Sequence, residues 1–378
     1  MTTLRVIVDD VLTDVPDGIS RYSLELTRQL IATAPRGCVV EGIVAARSET
    51  DRRVLQQLLP GLVGVHALPV GSRELALAWQ MGVKLPMGGG LIHAPSLLAP
   101  LFKHDASDSV DQTTVTVHDV SAWTAPEAVG LVEAAWQKAM VKRARKFADA
   151  VVVPTHAVAD QLNRVAKLGD RIRVIGGAPS DTLQVPDDAD ARAEALRLPE
   201  RYIATVSSLD PRRGLRALIG AMTDPALHDL PLLVVGPEEH HGERVSTVAM
   251  EAGLAEGRVR TLGSLGDPDL AVVLSRATVF VYPNLSSGFG LPVVEAMRFG
   301  TPVVHSDDPA VAEVAFGAGV TVPREDAEEY PARLAEAVAS VVADDTLRER
   351  LRFAGMDRAA AFSWRASAES VWQLHAEL

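Results

Sequence analysis

Cysteine is nearly absent: Cys38 is the only one in 378 residues. One thiol cannot close an internal disulfide, and the chain has no cysteine cluster for a metal, so a reducing cytoplasm suits it best. Long apolar runs are missing as well. Nothing approaches the about 18 residues that a membrane span needs, and the N-terminal MTTLRVIVDD lacks the apolar core of a signal peptide. A soluble protein is expected, or at most a peripheral one. Positive charge is in deficit, with 37 Lys and Arg against 49 Asp and Glu and a net charge of −12. A sequence-independent nucleic-acid binder needs cationic surface to displace counterions from phosphates, so nucleic acid is excluded as a partner. Any anion bound by such a chain must be met by local groups.

What is abundant is apolar content, 47% of the residues. That is ample for a core, and at about 100 to 200 residues per domain the length favours two domains. Short β-branched runs alternate with longer amphipathic ones: LRVIVDD, the helix-like GISRYSLELTRQLIA, then GCVVEGIVA. The alternation continues through GLIHAP, TTVTVHDV, a long helical run from about Pro126 to Ala148, ADAVVVP and a short helix after Thr155. This β-α-β order predicts an α/β, doubly wound Rossmann-like domain over residues 1–180. Residues 181–200, rich in Pro, Asp and Ala and without a strand-like run, read as a linker region. A second series, RYIATVSSL, LPLLVVG, GRVRTLG, ATVFVYP and TPVVHSD with helices between, predicts a second such domain over 201–360. The end is helical in pattern, with Ser363 as N-cap of a last helix within 361–378.

Open α/β sheets bind ligands at the carboxyl ends of their strands, and a cleft between two such domains is the expected site. Four strand ends carry candidate residues. Gly18, in VPDGISRY, lies where a glycine and a helix N-terminus would let an anion approach the backbone; an ordinary turn glycine is the alternative. His118, after TTVTV, would donate to a substrate hydroxyl or carbonyl, unless it is a satisfied interior histidine. In SLDPRRGL, Arg212 and Arg213 offer forked, permanent charges suited to a diphosphate, or else form a solvated pair. In YPNLSSGFGLPVVEAMRFGTPVV, Gly288 and Gly290 leave room for backbone amides to face an anion. Pro292 suits the first helical position there, so Glu295 falls in the first turn with its carboxylate leaning back toward the helix start. An acid beside an anion suggests neutral hydroxyls as its partners, as on a ribose carrying a diphosphate; complementing the helix dipole is the alternative.

Taken together, GISRY, HAPSLLAP, TVHDV, SLDPRRGL and above all SSGFGLPVVEAMRFGTPVV resemble the motifs of retaining glycosyltransferases of family four. The resemblance runs nearly end to end. It implies the GT-B architecture, two Rossmann-like domains facing across a cleft with the last helix crossing back to the N-domain, and a nucleotide-sugar donor. By position it makes Glu295 the acceptor for the donor ribose hydroxyls, Arg213 a diphosphate cation, His118 a contact to the transferred sugar and Gly18 a close approach to the diphosphate. Phe289, Gly290 and Leu291 would line the donor with backbone groups, beside Gly288, Ser207 and Ser208. Three positions depart from the family. Arg213 stands where lysine is usual, Ser208 where many members have a second arginine, and Ser287 where the first of two glutamates contacts the sugar.

The expected activity is transfer of a hexose, with mannose or a 6-deoxyhexose favoured, from a nucleoside diphosphate sugar to a hydroxyl of a glycan, lipid-linked glycan or small molecule. His118, Arg212, Arg213 and Glu295 would carry it. No side-chain nucleophile is evident, so front-face attack with retention is the implied mechanism, with no cofactor and no essential metal. A catalytically silent nucleotide-sugar-binding subunit, partnering an active transferase, is the competing expectation, and Ser287 is its support. Lys138, Lys142, Arg143, Arg145 and Lys146 form a basic stripe suited to anionic lipid headgroups at the inner face of the membrane; a solvated face is the alternative.

Overall fold

Valine, isoleucine and threonine, whose branched Cβ suits the pleated strand, fill most of the seven strands of the first sheet: β1 (Thr2–Ile7), β2 (Cys38–Val44), β3 (Gly64–Ala67), β4 (Leu91–Ala94), β5 (Gln112–Thr116), β6 (Ala150–Val153) and β7 (Ile172–Val174). The computed structural model describes residues 2–13, 17–103 and 111–378. All pairings in this sheet are parallel, in the order β3-β2-β1-β4-β5-β6-β7. A parallel sheet covered on both faces needs continuous apolar strands, and Val151, Val152 and Val153 are fully buried accordingly. The chain builds outward from β1 to β3 and then crosses to β4, so β1 and β4 flank the topological switch point. The helix Gly18–Ala32 has the bounds its sequence pattern predicts. Asp17 caps it, accepting from Ser20 N at 2.8 Å, while Ser20 Oγ accepts from Asp17 N at 2.7 Å. Val15 and Pro16 of VPDGISRY lie outside the described residues.

The first unit comprises residues 1–177 and 363–378, the second 178–362. The second sheet contains β8 (Ile203–Val206), β9 (Leu232–Val235), β12 (Val259–Gly263), β13 (Val279–Tyr282), β14 (Val303–Ser306) and β15 (Val320–Val322), all parallel. A two-stranded hairpin, β10 (Glu239–His240) with β11 (Glu243–Arg244), lies apart from it. The order β12-β9-β8-β13-β14-β15 puts its switch point between β8 and β13. Side chains alternate between two cores with the period of two that a strand imposes. Ile203, Val234, Val279 and Val281 go to one, and Tyr202, Ala204, Leu233, Phe280 and Tyr282 to the other.

Two sequence expectations are corrected. The run from Pro126 to Ala148 is two helices, Pro126–Val129 and Leu131–Phe147, broken by Gly130 at φ 92°. Residues 181–200 belong to the second unit rather than forming a free linker. Ala189–Ala195 is a helix there, tied by Arg192 to Asp269 at 2.8 Å.

The last helix, Trp364–Glu377, returns to the first unit. Trp372 Nε1 donates to Leu30 O at 3.1 Å and Ser367 Oγ to Gly176 O at 2.8 Å. His375 places Nδ1 3.0 Å from Gln112 Oε1 and Nε2 3.2 Å from Thr114 Oγ1, and Thr114 Oγ1 also lies 2.7 Å from His93 Nδ1. Burial pushes both imidazoles down, His375 to about 4 and His93 to about 3, the latter helped by the charge on His375. In the unfolded chain both titrate near about 6.5. Their contribution is therefore complete above that pH and lost as the pH falls toward 4, because the unfolded chain takes up protons first. Stability should drop between pH 6.5 and 4.5 by up to about 1.4 kcal/mol per pH unit per histidine. Urea unfolding of wild type and His375→Gln across this range checks it; equal slopes for the two would reject the assignment.

Candidate functional site

In the second unit the loops after β8 and β13 are locked together at the switch point. Leu285 N and Ser286 N donate to Arg212 O at 2.8 and 3.3 Å. Gly214 is left-handed, at φ 64°, and a Cβ there would lie 2.1 Å from the carbonyl oxygen of Pro283. Only glycine meets both demands. Gly214→Ala is expected to destabilise the second unit by about 2 kcal/mol or more, through backbone strain and separation of the loops. Urea denaturation measures this, and wild-type stability would contradict it.

The two arginines of SLDPRRGL have different fates. Asp210 caps the turn Pro211–Arg213, accepting from Arg212 N at 2.9 Å, and its carboxylate also holds the Arg212 guanidinium at 2.6 Å. Burial alone would raise the Asp210 carboxyl. The hydrogen bonds from Arg212 and the charges of Arg212 and Arg213 outweigh it and hold the group below the usual aspartate range. Arg212 is thus paired within its own loop, whereas its neighbour stands differently. Arg213 is exposed, and among the described residues it makes no ion pair. Ser207 is buried, its N–H donating to Val235 O at 3.0 Å, and Ser208 follows it at the same strand end.

The glycine loop is anchored by the buried side chain of Phe289. Phe289 is buried edge-on against Phe362, with ring centroids 5.5 Å apart. Gly290, left-handed at φ 88°, is the N-cap of the helix Leu291–Arg298. Pro292 is therefore its second residue and Glu295 its fifth, one turn in, which corrects the first-turn placement. Helix-dipole effects fade beyond the first turn, so a dipole role explains Glu295 poorly. The residue is 3% exposed, which excludes a solvated surface acid. Ser287 Oγ lies 3.4 Å from Tyr282 Oη, and Gly288 stands between it and Phe289.

In the first unit the corresponding edge carries His118, half-buried, with Nε2 2.7 Å from Pro95 O and its ring edge-on to Tyr22 at 4.7 Å. Burial lowers its pKa, against the Pro95 bond and the charges of Asp119 and Asp17, so the ring is neutral. A carbonyl can only accept, so the proton is assigned to Nε2 and Nδ1 keeps a lone pair. With that tautomer Nδ1 of His118 can accept from a ligand hydroxyl, the opposite polarity to the donor role expected from the sequence. Gly18 has an ordinary φ, and a Cβ there would meet nothing within 4 Å. Neither its conformation nor packing among the described residues calls for glycine at that position.

Two residues at this edge escape the sequence reading, Asp10 after β1 and Ser96 after β4. Ser96 Oγ donates to Asp10 Oδ2 at 2.6 Å across 86 residues of chain. Neighbouring Asp9 is occupied, accepting from Ala45 N at 2.9 Å and from Arg47 at 2.8 Å. The available signal was an acid pair directly at the carboxyl end of β1.

Residues 187–358 match the family described as Glycosyl transferases group 1. That segment is a group 1 glycosyl transferase domain. The chain is 25% identical over 370 residues to the O-antigen chain mannosyltransferase B of Escherichia coli, a match to 92% of each protein. It is 32% identical over 209 residues to the phosphatidyl-myo-inositol mannosyltransferase of Mycobacterium tuberculosis, a match to 52% of this chain and only 54% of that protein. Among solved structures, Anabaena HepE in complex with UDP and glucose superimposes with a TM-score of 0.73 at 17% identity, over all of both chains. That likeness shows the GT-B fold. The transferase domain contains the Arg213 turn, the glycine loop and Glu295.

Proposed function

We propose that the protein transfers a hexose, mannose in the first instance, from a nucleoside diphosphate sugar to a hydroxyl acceptor with retention of configuration. The observation that carries this reading is the junction after β8 and β13, two loops bonded to each other: one carries Arg213, without an ion pair among the described residues, and the other leads into the helix that holds the buried Glu295. A departing diphosphate needs positioned positive charge and amide dipoles, and Arg213 with the Gly288–Leu291 backbone supplies them without a metal. Glu295 accepts from the ribose hydroxyls, and the acceptor attacks from the face the diphosphate leaves. Mannose is favoured because both relatives named above are mannosyltransferases. A thermal-shift panel of GDP, UDP and dTDP tests the donor class, since a ligand of the native state raises its melting point. A rise with GDP or UDP is expected; no rise with any of the three would sink the reading.

No helix among the described residues is long and apolar enough to cross a membrane. For a lipid-linked glycan acceptor, peripheral docking from the cytoplasm is the reading we favour. Leu131 and Val132 begin the Leu131–Phe147 helix and are 69% and 87% exposed. The exposed Leu77 and Met81 lie on the neighbouring helix Ser72–Met81, to which Trp136 Nε1 bonds at Ala76 O, 3.3 Å away. Lys138, Lys142, Arg145 and Lys146 add charge, whereas Arg143 leaves the stripe by bonding Leu101 O and covering the Phe147 ring. Exposed apolar residues at the start of one helix and along its neighbour, with basic residues further along the first, suit an anionic bilayer surface. Co-sedimentation with phosphatidylglycerol vesicles should fall several-fold in Leu131→Glu/Val132→Glu and at high salt. Equal binding to phosphatidylcholine vesicles would contradict it.

A further inference from the structure

The edge of the first sheet holds a carboxylate that the transfer chemistry above does not use. Asp10 follows β1 and Ser96 follows β4, so the pair sits at the switch point, where doubly wound sheets bind ligands. Oδ2 takes the Ser96 hydroxyl at 2.6 Å, and Ser96 Oγ in turn accepts from Leu98 N at 3.2 Å, which fixes the hydroxyl's direction. Among the described residues no group donates to Asp10 Oδ1. A carboxylate has capacity for about four hydrogen bonds. Among the described residues it makes no ion pair either: Arg47, the cation nearby, is held by Asp9 through Nε at 2.9 Å and a second nitrogen at 2.8 Å. Burial first, then the charges of Asp9 and Asp17, raise the Asp10 carboxyl above the usual aspartate range, against the Ser96 bond and Arg47. The dipeptide Pro95-Ser96 links this group to His118, whose Nε2 bonds Pro95 O and whose Nδ1 lone pair is open. Gly18, beside the capping Asp17, leaves open space in the same loop system.

We propose that Asp10, steadied by Ser96, binds the acceptor, taking hydrogen bonds from two hydroxyls of a neutral pyranose ring. The unoccupied atoms here, Asp10 Oδ1 and His118 Nδ1, are both acceptors. The ligand must therefore donate, which a polyol does and a phosphodiester or fully ionised phosphate does not, and Asp9 and Asp17 repel anions from the same place. The proposal rests on the glycosyl-transfer reading but fails separately from it.

The test uses the full chain with saturating GDP and titrates methyl α-D-mannopyranoside, a neutral pyranoside, by saturation-transfer NMR. Asp10→Ala is expected to weaken mannoside binding by about tenfold or more and Ser96→Ala by a few-fold, while GDP affinity stays within about twofold of wild type. Asp10→Asn keeps the shape, so it separates loss of the acceptor charge from a folding defect, and it too should bind mannoside more weakly. Wild type that binds GDP but not mannoside, unchanged mannoside affinity in all three variants, or a parallel loss of GDP would each overturn the assignment. Failure of wild type to bind GDP, UDP or any nucleotide sugar would instead strike the transferase reading itself.

Discussion

Arg213→Ala should lower single-turnover transfer by about 10² to 10³, the usual loss on removing one preorganised donor from a developing negative charge. Arg213→Lys should recover much of it, since charge is kept and only the forked geometry is lost. Arg212→Ala should be far milder, because Asp210 already neutralises that guanidinium at 2.6 Å. Excess EDTA should leave wild-type transfer unchanged if Arg213 does the work of a cation. Chelator-sensitive activity restored by magnesium or manganese would defeat this account, as would an Arg212→Ala loss larger than that of Arg213→Ala.

Glu295→Ala should weaken nucleoside diphosphate binding by about 1.5 to 3 kcal/mol, the range for a hydrogen bond to a charged acceptor. The side chain is 3% exposed and one turn into its helix, so urea unfolding of the variant is read beside its nucleotide affinity. Because the carboxylate is best used by two ribose hydroxyls, GDP or UDP should bind more tightly than dTDP in the wild type. That preference should shrink in the variant. Calorimetry reads both effects, and an unchanged nucleotide affinity would remove the ribose assignment.

Long amphipathic patterns were legible without a structure. GISRYSLELTRQLIA gives its helix to the residue, because the capping Asp17 and the apolar period act within one segment. Strands β3, β7 and β15 escaped: all three are partly exposed edge strands and lack the buried apolar run that marks most of the equally short inner strands. The Pro126–Ala148 run read as continuous because its apolar spacing carries across Gly130, while the break depends on one backbone angle. At the site, the motifs after β8 and β13 could be placed at strand ends, but their bond through Arg212 O depends on sheet order. Asp210, two residues before Arg212, was a visible clue to which arginine is neutralised. The donor and acceptor nitrogens of His118, and the pairing of Asp10 with Ser96, are set by contacts between distant segments and are invisible in sequence. Pro292 is favourable at either of the first two helical positions, so composition alone left Glu295 misplaced by one residue.

Proton NMR of GDP-mannose incubated with the protein, read before the released sugar equilibrates, tests hexosyl transfer with retention most directly. Water stands in for the missing acceptor. The account predicts slow release of GDP with α-mannose as the first-formed anomer, lost in Arg213→Ala. First appearance of β-mannose, or no nucleotide release from GDP-mannose or any other nucleoside diphosphate hexose, would contradict it.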